Sequence, residues 1–245
     1  MGNPQLRVVI ENGVATVILA RPPVNALELT LFREFDACFE KLLVDEAIAA
    51  VVLTGEGRCF SSGLDLKQVP MYSLEQQREL INLGNRSLAR LYAFPRPLVA
   101  AVNGHALAGG LVLALACDYR IGPAAPCKLG LAEVRVGIPF PAVAMEVVRA
   151  ELAPDVARVW GLGGESATSE QALVQGVLDE LIAPERVLLR AREIAAERAA
   201  FPRRGYAAIK HQLRAAALQR IEAIVENDAD PLLAKGLIDG VRATG

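Results

Sequence analysis

The sequence predicts an α/β protein in which a layered core of strands and helices is followed by a helical C-terminal region. Three observations lead there. Short apolar blocks of strand length are interleaved with stretches whose apolar residues recur at helical spacing. Glycine- and proline-bearing turns separate the two kinds of segment. From Pro184 onward the period is helical throughout, with alanine-rich stretches over 191–200 and 206–218.

Taken in order, apolar runs over 6–11 and 14–19 flank Asn12-Gly13, a strong hairpin signal. Arg21-Pro22-Pro23-Val24-Asn25 breaks the second strand. Leu27, Leu31, Phe32, Phe35, Cys38, Phe39 and Leu42 give an amphipathic helix over 27–44. A short buried strand is expected over 48–54, a turn over 55–58 and a loop of small residues over 59–66. A helix over 73–91 ends before Pro95 and Pro97, and an apolar strand follows over 97–102. Asn103 to Gly110 then forms a glycine-bearing turn leading into a short apolar helix. Brief strands are expected over 118–121 and 127–130, helices over 142–152, 155–161 and 169–175, and a late strand over 176–182.

A chain of 245 residues can form one large domain or a core with an appendage. With 53% hydrophobic and 22% charged residues the composition is globular. Net charge is −2, and Arg203-Arg204 is the one dense basic patch, with no interleaved aromatics; no nucleic-acid partner is expected. Four cysteines without CxxC spacing and two histidines suggest neither a disulfide framework nor a metal site, and point to reduced thiols in the cytoplasm. The N-terminus lacks a signal pattern, Leu6 spoils a myristoylation match, and the apolar run 107–117 is too short to span a membrane. A soluble protein without a membrane partner is expected.

Gly109-Gly110 at a helix start lets a ligand approach the backbone, where unpaired N–H groups suit an oxygen that gains negative charge. The same pair would also permit close helix–strand packing.

Two segments, Phe60-Ser61-Ser62-Gly63-Leu64-Asp65-Leu66 and Asn103-Gly104-His105-Ala106-Leu107-Ala108-Gly109-Gly110, resemble the crotonase (enoyl-CoA hydratase/isomerase) superfamily. Arg21-Pro22, Asn25-Ala26-Leu27, the segment from Cys117 to Ile121 and that from Leu131 to Gly137 extend the likeness over nearly the whole chain. The resemblance implies a spiral of ββα units over 1–190 and a C-terminal helical trimerisation region over 191–245. It implies assembly as a homotrimer or a dimer of trimers. The substrate would be an acyl-CoA thioester, and no cofactor is needed beyond the coenzyme A that the substrate carries.

By the motif match, the Leu64 and Gly109 N–H groups would hold the thioester oxygen, with Gly63 and Gly109 required for their shape. Coenzyme A would lie along Pro23, Val24, Ser62, Asp65 and Leu66, with Lys210 a phosphate contact from a C-terminal helix. Gly110 and Val112 complete the substrate-binding set. Hydratases of the family place one glutamate three residues after the oxyanion-hole glycine and a second on the later loop; here those positions are Val112 and Glu133. Diene isomerases carry a further acid eight residues past the later glutamate, where this chain has Pro141. A lone catalytic Glu133 resembles the Δ3-Δ2-enoyl-CoA isomerases, in which one carboxylate moves a proton from C2 to C4. Leu131, Val134, Val136 and Ile138 are expected to raise the Glu133 pKa by desolvation. The alternative for this residue is a surface pair with Arg135 along a strand face. Hydratase, hydrolase or decarboxylase chemistry, or non-catalytic acyl-CoA binding, are the competing activities. The helix over 73–91 and the segment 140–146 are expected to line the acyl pocket, and His105 and Trp160 to have structural roles.

Overall fold

The computed structural model describes residues 4–237. The hairpin forms as expected from β1 (Leu6–Glu11) and β2 (Val14–Leu19), antiparallel from Leu6 opposite Leu19 to Glu11 opposite Val14. Asn12 and Gly13 both take positive φ, 50° and 77°, as its two-residue turn requires. Helix α1 (Leu29–Val44) begins slightly later than its apolar pattern suggests because buried Glu28 caps it, accepting from the N–H groups of Thr30 and Leu31. Strands β3 (Ala50–Gly55) and β4 (Cys59–Ser61) follow. A Ser73/Gln76 capping box starts α2 (Leu74–Tyr92).

Beyond β5 (Leu98–Ala101) the chain does not turn straight into a helix. A three-residue strand, β6 (His105–Leu107), intervenes before α3 (Gly109–Leu115). Then come β7 (Tyr119–Pro123), β8 (Leu129–Gly130), α4 (Glu133–Val136), α5 (Ala142–Glu151) and α6 (Pro154–Gly163). They are followed by β9 (Ser166–Ala167), α7 (Ser169–Val174) and β10 (Glu180–Ile182). The helical C-terminal region comprises α8 (Val187–Ala199), α9 (Arg203–Glu226) and α10 (Leu232–Lys235).

From β3 to β8, strands are dealt alternately to two sheets. β3, β5 and β7 enter a sheet of order β1-β2-β3-β5-β7-β10, parallel after the hairpin; β4, β6 and β8 enter a second sheet, order β4-β6-β8-β9. A helix follows each pair, which produces the spiral of ββα units. Both faces of the larger sheet are covered. Val51 and Leu53 face the main core with Phe35 and Phe39 of α1, whereas Ala50 and Val52 face Val187, Ala191 and Ile194 of α8. The expected boundary at residue 190 therefore falls inside α8, a helix that belongs to the core layers.

Helix α9 packs on α2 and α5 through Lys210, Arg214, Ala217 and Ile221, one stripe at helical spacing. Its two cations converge on Asp118, which lies 2.7 Å from Lys210 Nζ and 3.3 Å from Arg214 Nη1 and also accepts from the Tyr206 hydroxyl and the Leu98 N–H. Arg214 lies over the Tyr92 ring as well, 4.0 Å from its centroid. Replacing Asp118 with Asn leaves two buried cations without their counter-ion, so urea denaturation should show a loss of about 3–5 kcal/mol.

Candidate active site

The site is built at one end of the smaller sheet. Strands β4, β6 and β8 run parallel, so their C-terminal ends point the same way. The residues just beyond them line a common cavity: Ser62, Leu64 and Leu66 after β4, Ala108 and Gly109 after β6, Ala132 and Glu133 after β8. The β4 loop is moulded by Asn25, a buried residue with φ 49°. Its Nδ2 donates to the carbonyls of Glu56 (3.0 Å) and Cys59 (2.7 Å), and its own carbonyl accepts from the Ser61 hydroxyl at 2.8 Å.

The first two loops touch. Gly63 has φ 79°, and a Cβ there would lie 2.8 Å from the Ala108 Cβ and 3.0 Å from the Gly109 nitrogen. Ala108 itself sits at φ 51°, ψ −132°, a conformation that costs an L-residue about 1–3 kcal/mol. Its N–H donates to the Gly130 carbonyl, and its carbonyl accepts from Leu111 and Val112, which holds it there. The Leu27 N–H donates to the Gly63 carbonyl and the Asp65 N–H to the Leu27 carbonyl, leaving Leu64 between them with no acceptor for its N–H among the described residues. Gly109, as the first residue of α3, also has no helical acceptor for its N–H. Helix α3 spans only seven residues, so the site offers two fixed amides rather than a large dipole.

The cavity has a volume of about 270 Å³ and is otherwise apolar. Helix α2 contributes Leu80, Ile81, Gly84 and Leu88, while Pro141 and Ala144 come from the start of α5. Among the described lining residues Glu133 is the one charged side chain; Val112 and Pro141 line the same space. Glu133 is 8% exposed, and its Oε2 has no hydrogen-bond partner. Burial raises its pKa to about 7, and the nearby N–H groups of Glu133 and Ala132 offset only part of that shift.

The surface pair with Arg135 does not form. Residues 133–136 are a turn of helix rather than a strand, and the Arg135 guanidinium donates to the Gly164 carbonyl. Of the four residues expected to desolvate Glu133, Val136 and Ile138 line the cavity and Leu131 is in the core, but Val134 faces outward, 49% exposed.

Other expected positions sort differently. Ser62 and Leu66 line the cavity; Pro23 and Val24 do not, although the Val24 carbonyl accepts from the Ser62 N–H at 2.9 Å. Asp65 shapes its own loop. Its carboxylate contacts Arg21 and accepts from the Lys67 and Gln68 N–H groups; burial would raise its pKa, but these partners outweigh that and lower it. Gly110 is a packing glycine rather than a binding one, since a Cβ would meet the Ser61 carbonyl oxygen at 2.3 Å. Lys210 is corrected as a phosphate contact: it is 9% exposed, its ammonium is held by Asp118 and the Arg96 carbonyl, and it lines a separate cavity. His105 is structural, its Nδ1 accepting from the Lys128 N–H. Sequence reasoning did not single out the positioning role of Asn25, or Asn85, Phe32 and Leu237 in the cavity wall. Asn25 had a visible signal in its proline-flanked turn; the others lie far apart in the chain.

Strand-end loops closing around an apolar cavity, on a spiral of ββα units, define a protein of the crotonase fold class. Residues 9–235 match the enoyl-CoA hydratase/isomerase family, and the chain belongs to that family. It is similar to human mitochondrial Δ3-Δ2-enoyl-CoA isomerase, with 28% identity, a TM-score of 0.89 and coverage of 97% of this chain and 94% of that one. It is also similar to a Mycobacterium tuberculosis enoyl-CoA isomerase, with 29% identity, a TM-score of 0.85 and coverage of 93% and 99%. That mycobacterial protein has also been described as the probable enoyl-CoA hydratase EchA3. Among sequence relatives, the probable enoyl-CoA hydratase EchA17 of Mycobacterium avium is 31% identical over 224 residues, 91% of this chain and 84% of the relative. A probable enoyl-CoA hydratase of Bacillus subtilis is 37% identical over 130 residues, 53% of this chain and 50% of the relative. Among the described residues no helix is long and apolar enough to cross a membrane.

The raised pKa of Glu133 has a stability signature. The folded state binds this proton more tightly than the unfolded chain, so the contribution is present below about pH 4.5 and is lost as pH rises through about 7. At pH 8 the buried carboxylate costs about 3 kcal/mol. Glu133→Gln should therefore melt above the parent protein at pH 8, and the gain should vanish near pH 4.5 in thermal scans.

Proposed function

We propose that this protein is a Δ3-Δ2-enoyl-CoA isomerase of the type used in fatty acid β-oxidation. One observation carries the reading: Glu133 is the single acid among the described residues of the cavity, while the positions that would hold a second acid are Val112 and Pro141. The thioester oxygen would sit between the Leu64 and Gly109 N–H groups. Glu133 takes a proton from C2, and the C2–H electron pair becomes the C1=C2 bond of a dienolate, with negative charge on the oxygen. Collapse of the dienolate forms the C2=C3 bond, and C4 takes the proton back from Glu133. No atom is gained or lost, and one carboxylate serves both steps.

The fixed amides supply the electrostatic part, since a donor of this kind is worth about 3–4 kcal/mol in the transition state. A base whose pKa is about 7 is ionised near neutrality yet basic enough to take an acidic C–H proton. Hydration would require a water held and activated by two acids, and the Val112 side chain offers no such partner. The homotrimer or dimer of trimers, the absence of a cofactor and the cytoplasmic setting implied by the family resemblance belong to the same reading.

Glu133→Gln should lower 3-enoyl-CoA isomerisation by about 10²–10⁴-fold while acyl-CoA binding persists. In the unsubstituted protein kcat/KM should rise with pH through about 7 and then level, because the carboxylate must be ionised to act. Faster hydration of 2-enoyl-CoA than isomerisation of 3-enoyl-CoA would replace this reading with the hydratase one.

A further inference from the structure

The wall of the cavity opposite in character to the three loops includes a residue from the far end of the described chain. Leu237 is 3% exposed and lines the cavity, more than a hundred positions from Glu133. The segment that carries it is fixed onto α2 at three points. At its start, buried Asp230 accepts from Asn85 Nδ2 (2.8 Å), the Ala142 N–H (2.7 Å) and the Leu232 N–H (2.9 Å). Midway, Arg78 Nε donates to the Leu233 carbonyl at 2.7 Å. At its end, the Leu237 N–H donates to Gln77 Oε1 at 3.0 Å, after a turn at Gly236 with φ 79°.

Gln77 lies one turn before Leu80 and Ile81 on the same face of α2, the face that continues through Gly84 and Leu88 along the cavity. Leu237 is thus held against the N-terminal end of the apolar stripe. Neither α2 nor this segment contributes an acid to the lining. Asn85 is the one polar side chain that α2 and this segment bring to the lining, and its amide is engaged by Asp230 and the Val143 N–H, so the rest of these elements is left to contact the hydrocarbon.

We infer that the strap from Asp230 to Leu237 sets the acyl-chain length that the cavity accepts, with Leu237 as the stop. This rests on the acyl-CoA reading of the cavity. Leu237 and the apolar stripe of α2 bound this cavity on the side away from the loops, so the reach to Leu237 limits how much hydrocarbon it takes. The stop is a specificity-determining contact and has no part in the proton transfer.

Saturated straight-chain acyl-CoAs from butanoyl to tetradecanoyl cannot isomerise, so their Kd values, measured by calorimetry, test the strap independently of the reaction. For the parent protein Kd should tighten about fourfold per methylene, the equivalent of ~0.8 kcal/mol, up to a break length within this series and then level. Leu237→Ala should move that break to longer chains and raise the ratio of hexanoyl to dodecanoyl Kd by roughly tenfold, as two or more further methylenes find apolar wall. Leu237→Phe should move the break to shorter chains, which keeps the test decisive if the alanine variant fails to fold. Profiles that keep the parent's shape in a folded variant, even with uniformly weaker binding, overturn the strap's role and leave the acyl-CoA site standing. No binding by the parent protein at any length overturns both.

Discussion

The contact between two turns is the constraint on which the rest of this structure depends. Gly63 and the Ala108-Gly109 peptide approach so closely that no side chain fits at residue 63. The approach leaves two amides without acceptors among the described residues beside one cavity, an arrangement that favours an oxygen acceptor there. Much of the surrounding framework serves to hold it. Asn25 ties the first loop to the carbonyls of Glu56 and Cys59, the Ala108–Gly130 hydrogen bond ties the second to β8, and Gly110 lets α3 lie directly on Ser61. The left-handed Ala108 is local strain fixed by these neighbours.

Glu133 has the opposite kind of cost. A carboxylate in apolar surroundings is unfavourable, and that burial raises its pKa. The same desolvation makes the group a better base at neutral pH, so the feature that weakens the fold there is the one the proposed reaction would use. Its placement at the first residue of a single helical turn, directly after β8, fixes it relative to the amides without a hydrogen bond to Oε2.

The C-terminal helices complete the molecule in three ways. α8 covers the second face of the larger sheet, α9 is locked to the core by the buried Asp118–Lys210–Arg214 cluster, and the segment after α9 returns to α2 to close the cavity wall. Buried charge in this cluster fixes geometry, because each cation has a defined acceptor and misplacing α9 would strand it. A region that reads in sequence as an appended helical tail is thus part of both the core and the candidate site.

The sequence by itself determined the hairpin, the two long amphipathic helices of the core and the order of strand and helix, because these rest on local chemistry: turn residues, apolar period and breakers; Leu64, Gly109 and Glu133 were legible as candidates only through the family resemblance of their short motifs. Tertiary structure decided the rest. The strands β6, β8 and β9 are two or three residues long, too short to carry a period, and exist only because neighbouring strands pair with them. Residues 133–136 alternate like a strand yet form a helical turn, since the chain must reverse there to bring Glu133 into the cavity. Lys210 reads as a solvated cation until α9 docks and gives it Asp118, and Leu237 reads as a tail residue until the chain folds back onto α2. Burial and long-range pairing are properties of where distant segments meet, and no local pattern encodes that meeting.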